Sequence, residues 1–454
     1  MILTDESVIT IFQSEPRFGT RASLNHAMQT TPEERDYLLK HAITHLNLPV
    51  DQTEYRVTNN KTHTFSINTI YTNIRFIYHN HESRPDLVVY TTSGFKIIKL
   101  CISYKPINVN ILKLGLTSFL ISKTGYNMPL AHLYCINNAF RIDSSNHSFF
   151  SIYNMTKRTQ KTTLKITNYL NSPPSTSSLP AVSQDTREIA DIFYLINMPY
   201  KNKLFYFNEG IRSFELIYNS ITTLSDNQRK QCLAEINQEP FLDLTYLKSF
   251  FAKLTPTILF FDIEACQFPY PTIFTKQPFE TFPFLFSIHQ LNTTTDHHNH
   301  ASQFFFPDND FRRNFAESLI KQLNTDDSII IFDATMERKL LLEFCTLFPD
   351  LSHQLTHILD RFVDLSSLFL NHHVILPGMQ GKYSVKQVMQ SINKTNPYDK
   401  LSIQSGFFAS HHYKQLIYDK KTDKNAIKKA ISDYCKADTF AMVIIYRYLY
   451  GLIY

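Results

Sequence analysis

The spacing of apolar and polar positions changes several times along this chain, and each change predicts a different element. Before residue 170, the short apolar runs TFSINTIYTNIRFIYH, PDLVVYTTSGFKIIKLCIS and MPLAHLYCINNAF read as strands. Between the last two, VNILKLGLTSFLISKTGY reads as a helix. The stretch NSPPSTSSLPAVSQDT, 171–186, is rich in Pro and Ser and poor in large apolar residues, which predicts a linker. REIADIFYLI, NQRKQCLAEI and LTYLKSFFAKL follow with helical spacing, so 187–254 is expected to be a helical connector. From 255 to 454 strands and helices alternate, the pattern of a layered α/β domain. The expectation is an α/β protein with domains over 1–170 and 255–454.

Polar residues that interrupt apolar patterns mark candidate chemistry. In ILFFDIEACQF, Asp262 and Glu264 sit inside what otherwise reads as a buried strand. Residues two apart on a strand share a face at roughly 6.5 to 7 Å, so two carboxylates face the same way. Partly desolvated, they repel and one pKa rises unless a cation lies between them. In SIIIFDATMERKLLLEF a strand runs into Asp333, the expected helix N-cap, with Glu337 one turn in on the same side. An acid favoured by the helix dipole accounts for that pair equally well. In the last helix, Ile427, Ile431, Tyr434, Asp438, Met442, Ile445 and Leu449 recur at spacings of three or four, which puts Asp438 inside an apolar stripe. Tyr434 lies about 6 Å before it on the same face. A buried Asp must be paired, coordinated or hydrogen-bonded, and here a metal and a Tyr partner both stay open. Asp364 in RFVDLSSLF reads as a cap or ion-pair residue. Lys386 in GKYSVKQVMQSI, after Ser384, reads as a solvated lysine at a helix start or as a group that approaches a phosphate.

Composition narrows the function classes. The chain has 454 residues, 45 basic and 40 acidic, a formal charge of +5 that permits nucleic-acid binding through a local basic groove. With only nine Gly, neither G-x-G-x-x-G nor G-x-x-x-x-G-K-[ST] occurs, which disfavours nucleotide-hydrolysing motors and dinucleotide oxidoreductases. Six scattered cysteines without a C-x-x-C pair indicate neither a zinc ribbon nor a disulfide framework. No apolar run reaches the roughly 18 residues of a membrane span, and acids stand near the N-terminus where a signal peptide is basic. A soluble, cytoplasmic protein without membrane partners is expected. The stretch TTTDHHNHAS, with His297, His298 and His300, reads as a polar loop, and its histidines, with the pairs His372/His373 and His411/His412, read as solvated or, alternatively, as zinc ligands.

In order along the chain, D-x-E on a strand, an acid after a second strand and Y-x-x-x-D on a late helix resemble the three motifs of the DEDD superfamily, ribonuclease H-like 3′-to-5′ exonucleases, in its DEDDy branch. That resemblance implies Asp262, Glu264, Glu337 and Asp438 as ligands of two divalent cations, Mg²⁺ or Mn²⁺, and Tyr434 as the residue that positions the attacking water. The second motif departs from the pattern, with Glu337 following Asp333 where Asp preceded by Asn is usual. More narrowly, FFDIEACQFPY, FLFSIHQL, IIIFDATMERKLL, RFVDLSSLF, GKYSVKQVM and DYCKADTFAMV resemble blocks of an uncharacterised bacterial family, domain of unknown function 2779. Members of that family commonly carry a PD-(D/E)XK nuclease-like domain upstream. By that resemblance Asp86 stands where the first acid of such a site belongs, while Lys99-Leu100-Cys101 replaces E-x-K and Thr117 stands near the place of a helix Gln. The N-terminal half is therefore expected to be a degenerate nuclease fold. The implied substrate is nucleic acid with a single-stranded 3′ end, stacked on aromatic side chains. The alternative is a non-catalytic nucleic-acid-binding or scaffold protein with decayed nuclease folds.

Overall fold

The computed structural model describes residues 31–59, 63–144, 147–171, 190–272, 274–392, 396–419 and 421–454. The chain divides into two units, Met1–Arg187 with Phe268–Glu280, and Glu188–Gln267 with Thr281–Tyr454. The expected linker at 171–186 lies outside the described residues, apart from Asn171.

Among its described residues unit 1 has nine strands, β1 (Val50–Asp51), β2 (Tyr55–Val57), β3 (Thr69–Tyr71), β4 (Ile74–Tyr78), β5 (His81–Ser83), β6 (Leu87–Thr91), β7 (Gly94–Cys101), β8 (Leu130–Ile136) and β9 (Phe150–Asn154). Its described helices are α1 (Pro32–Leu46), α2 (Asn108–Lys123) and α3 (Thr156–Asn171). The main sheet has the order β1-β3-β6-β7-β8-β9, and β2-β4-β5 form a smaller one. The β6–β7 hairpin closes at Thr91↔Gly94, where Gly94 has φ 106°, a backbone state that excludes most side chains. Strand alternation splits the core in two. Val88, Ile97 and Leu133 pack with Leu116 and Leu120 of α2 and Ile166 of α3, whereas Leu87, Val89, Ile98 and Tyr134 pack with Leu38 and Ala42 of α1. α2 and α3 approach closely at Gly115, whose absent Cβ would lie 2.5 Å from Thr162 Cγ2.

In unit 2 the five-stranded sheet has the order β13-β12-β11-β14-β15, from β11 (Thr257–Gln267), β12 (Thr281–Asn292), β13 (His297–Phe304), β14 (Ser328–Ile331) and β15 (Phe362–Asp364). β11, β12 and β13 are antiparallel neighbours, while β14 and β15 run parallel to β11. β10 (Phe241–Leu242) and β16 (Val374–Ile375) form a separate antiparallel pair. The helices are α4 (Tyr200–Asn208), α5 (Phe214–Ser220), α6 (Asp226–Asn237), α7 (Leu244–Phe251), α8 (Arg312–Gln322), α9 (Thr335–Leu347), α10 (Ser352–Asp360), α11 (Ser367–Leu370), α12 (Val385–Ile392), α13 (Gly406–Tyr418) and α14 (Lys424–Gly451). The protein is thus a mixed α/β chain with several sheets, and none of its described helices is long and apolar enough to cross a membrane.

Two local expectations are corrected. Over its described residues REIADIFYLI is not an α-helix but a single 3₁₀ turn, Asp191–Phe193. The Asp191 carboxylate accepts from Phe214 N–H at 3.0 Å, so this acid serves the start of α5, while Ile192 and Leu195 are buried. The His-rich stretch is not a loop, since His297 to Phe304 form the edge strand β13 against β12. Ladder pairing with the apolar β12 outweighs the polarity of its side chains, most of which face solvent.

Candidate functional site

β11 is the support of the site. Its alternation sends Phe261 and Ile263 into the core and puts Phe260, Asp262 and Glu264 on the face crossed by α14. Phe260 packs against Tyr446 of that helix, ring centroids 5.7 Å apart. Two to three turns earlier on α14, Tyr434, Cys435 and Asp438 meet Asp262 and Glu264. The register of α14 is set by buried hydroxyls: Thr439 Oγ1 lies 2.9 Å from Ser287 Oγ and 2.8 Å from His289 Nδ1, and Ser287 reaches His300 Nε2 at 2.9 Å.

β14 pairs with β11 only at Ile258, Leu259 and Phe260, because the chain leaves the sheet after Ile331. Among the described residues the edge of β11 beside Asp262 and Glu264 is therefore left without a strand partner, and Glu337 from α9 lies near the Ile263 amide there, which favours its ionised form. Asp333 is not the N-cap. It adopts φ 65°, the cap is Ala334, and the amides of Asp333 and Ala334 both donate to Asp364 at 3.1 and 3.3 Å. The acid that anchors the start of α9 thus comes from β15.

Asp262, Glu264, Tyr434 and Asp438 line one pocket of about 260 Å³, with Lys386, Phe332 and Met442 on its other walls. Glu337 is not among the lining residues, yet its charge acts on Asp262 and Glu264. Burial raises the pKa of all four acids. For Asp262 and Glu264 the neighbouring carboxylates add to it and the values stand well above the usual range. Glu337 is pushed up to about 7 by burial, with Asp333 and Asp364 adding. Asp438 is raised by burial despite the hydrogen bond from Tyr398, the charge of Lys386 and the nearby Tyr434 phenol. The Tyr398 hydroxyl donates to Asp438 Oδ1 at 2.5 Å and the Cys435 thiol to Asp262 Oδ2 at 3.2 Å. Burial holds that thiol protonated, well above the ordinary cysteine range. Glu337 Oε2 is buried without a hydrogen-bond partner.

Such an arrangement suits a hard divalent cation. Several carboxylates share a low-dielectric space with little compensating charge, and one buried carboxylate oxygen is left unsatisfied. Among the described residues, the atoms of Asp262, Glu264 and Cys435 are the group of three potential ligands lying within 4.8 Å of one another. A protonated thiol that donates to Asp262 is a supporting residue and leaves an oxygen donor set. The histidines are spread over separate elements with other partners. His300 meets Ser287, His373 meets Asp243 at 3.1 Å and stacks on Tyr246, and His412 meets Gln415.

Asp86 in unit 1 is buried and ion-paired to Lys99 at 2.9 Å and to Arg35 at 3.0 Å, and it accepts the Leu100 N–H at 2.8 Å. These cations hold its carboxyl below the ordinary range although burial alone would raise it. Thr117 bonds Ser83 at 2.7 Å.

Sequence reading missed Tyr398 and Cys435 and left Lys386 open between a solvated lysine at a helix start and a group that approaches a phosphate. Nothing in NPYDK marks Tyr398, which meets Asp438 across forty residues of chain. Lys386 stands three residues before buried Met389, beside the stripe Val388, Met389 and Ile392, and that position was the available signal.

Residues 259–384 match a family described as a domain of unknown function (DUF2779), the one whose blocks the sequence resembles. The chain is also 26% identical over 162 residues to an uncharacterized protein of Mycoplasma genitalium, over 33% of this chain and 24% of that protein. The chain therefore spans about a quarter of the length of that relative.

Proposed function

We propose that this protein is a divalent-metal-dependent nuclease of the DEDDy type, a 3′-to-5′ exonuclease acting on single-stranded ends of nucleic acid. The observation that carries this reading is the convergence of Asp262, Glu264 and Asp438 on one pocket, with Glu337 in electrostatic reach and with one orphaned oxygen. Mixed strand directions and flanking helices in unit 2 are compatible with a ribonuclease H-like fold. Two Mg²⁺ or Mn²⁺ ions, held by these four acids, would supply an activated water and offset charge on the phosphate and the leaving oxygen.

The chain's own residues then have distinct tasks. Cys435 fixes Asp262 through its thiol, and Tyr398 fixes Asp438 through its phenol, so two of the acids are held before any ligand arrives. Tyr434 keeps its phenolic proton, because burial and the nearby Asp438 carboxylate raise its pKa, and it orients water as a hydrogen-bond donor. Phe332 and Met442 give the pocket an apolar wall against which a base or sugar can pack. In unit 1 a degenerate PD-(D/E)XK fold fits Asp86, whose oxygens are already engaged by Lys99, Arg35 and Leu100. All six cysteines are free, in keeping with a reducing cytoplasm.

Asp262→Ala tests the reading directly. Calorimetry with Mn²⁺ is expected to show loss of tight binding, and cleavage of 5′-labelled single strands is expected to cease while the fold persists. Cleavage by this variant at the parent's rate overturns the assignment. A non-catalytic nucleic-acid-binding role draws on Glu337, which does not line the pocket. Tight Mn²⁺ binding by the parent, with no cleavage of any single or double strand, would select that role.

A further inference from the structure

Lys386 occupies an unusual place for a lysine. It is the second residue of α12, half-buried, and lines the same pocket as Asp262, Glu264 and Asp438. Its Nζ donates to the Gln404 carbonyl at 2.5 Å and to the Tyr434 phenol oxygen at 2.9 Å. The ammonium also lies 4.4 Å from the ring centroid of Tyr434 and 5.0 Å from that of Tyr398. Among the described residues it makes no ion pair within 4.0 Å of any carboxylate, although three acids act on it electrostatically. An ammonium has three N–H donors, of which two are taken here. One donor remains beside the pocket. The cation has thus been kept off the acids, which stay free for metal, and has been fixed in position by a carbonyl and two aromatic rings. Desolvating a lysine without pairing it costs stability, so the placement calls for an anionic partner.

The geometry points to Lys386 as the anion-binding group of this pocket, donating its third N–H to a non-bridging oxygen of the phosphate that enters beside the acids. The inference rests on the nuclease reading for the identity of the ligand, a nucleotide phosphate. It does not depend on whether the bond is cleaved. One wall of the pocket receives cations and another receives the phosphate's charge, so neither function neutralises the other. A charge-assisted hydrogen bond of this kind in a partly desolvated site selects phosphate over the uncharged nucleoside by roughly 10- to 100-fold.

The probes are thymidine 5′-monophosphate and thymidine, titrated by calorimetry into Mn²⁺-saturated full-length protein, alongside a separate Mn²⁺ titration without nucleotide. The parent is expected to prefer the monophosphate, and Lys386→Gln, which keeps hydrogen-bonding capacity toward Gln404 and Tyr434 without the charge, is expected to lose that preference by roughly 10- to 100-fold. Its Mn²⁺ affinity should equal or exceed the parent's, since a like charge has been removed from beside the metal site. Lys386→Arg should recover part of the preference. The proposal is overturned if Lys386→Gln retains the preference, or if it loses Mn²⁺ affinity and melting temperature together, which would make Lys386 a structural strut. A parent that prefers the monophosphate but cleaves no strand would end the nuclease reading and leave this inference standing, and a parent without the preference would end this inference whatever its cleavage rate.

Discussion

At the scale of the residue, Glu337 is the group whose charge state carries most information. Its pKa stands at about 7, raised from the ordinary 4.5 by burial first and by Asp333 and Asp364 next. An acid that holds its proton more tightly when folded contributes stability that is whole below the unfolded pKa and is lost as pH rises through the folded one. His289 and His300 act with the opposite sign, because burial lowers them from 6.5 to about 3 and about 4 and their contribution is lost as pH falls below the unfolded value. Subtracting a variant from the parent removes the histidines from the comparison. In chelator, the melting temperature of Glu337→Gln minus that of the parent is expected to grow as pH rises from about 5 to about 8. A difference independent of pH would show that Glu337 titrates as an ordinary surface acid. Adding Mn²⁺ should favour the parent alone at the upper end of that range, where its carboxylate is ionised and able to coordinate.

At the scale of the element, the junction between β14 and α9 decides where Glu337 stands. Asp364 accepts from the amides of Asp333, Ala334 and Ser366 and from the Ser366 hydroxyl, so one carboxylate ties β15 to the start of α9. Asp364→Ala removes four acceptor contacts but leaves amides near enough to the surface to find water. The expected cost is about 1–2 kcal/mol, that of a lost helix cap, measured by urea unfolding. Mn²⁺ affinity should weaken with it, because α9 carries Glu337 toward the open edge of β11. Wild-type metal affinity in a destabilised Asp364→Ala protein would separate α9 from the metal site.

At the scale of the whole molecule, each unit holds one conspicuous buried carboxylate environment, and the two are solved in opposite ways. In unit 2, among the described residues, Asp262, Glu264, Glu337 and Asp438 have no cation within ion-pair distance, whereas Asp86 in unit 1 is paired to Lys99 and Arg35. Asp86→Ala in the full chain leaves Lys99 desolvated beside a void. The expected loss is about 3 kcal/mol, at the lower end for a broken buried pair because Arg35 is largely exposed and screened. Cleavage per folded molecule, measured well below the melting transition, should remain at the parent's level. A large fall in turnover with the fold intact would move the chemistry to unit 1.

Periodicity alone was enough to place the strand ILFFDIEACQF and the helix that bears Tyr434 and Asp438, because each is set by local alternation or by a 3.6-residue stripe. It was also enough to single out Asp262, Glu264 and Asp438, since a carboxylate inside an apolar pattern is costly wherever the element packs. The edge strand His297–Phe304 was illegible, as its solvated side chains conceal a backbone held by β12. Asp364 at the α9 cap, Tyr398 on Asp438 and Lys386 on Tyr434 share a reason for being hard to read: the partners lie 30, 40 and 48 residues apart in the chain. A residue's own neighbours in sequence determine its period and its cost of burial, but which donor meets which acid is decided only when sheet order and helix register bring distant segments together.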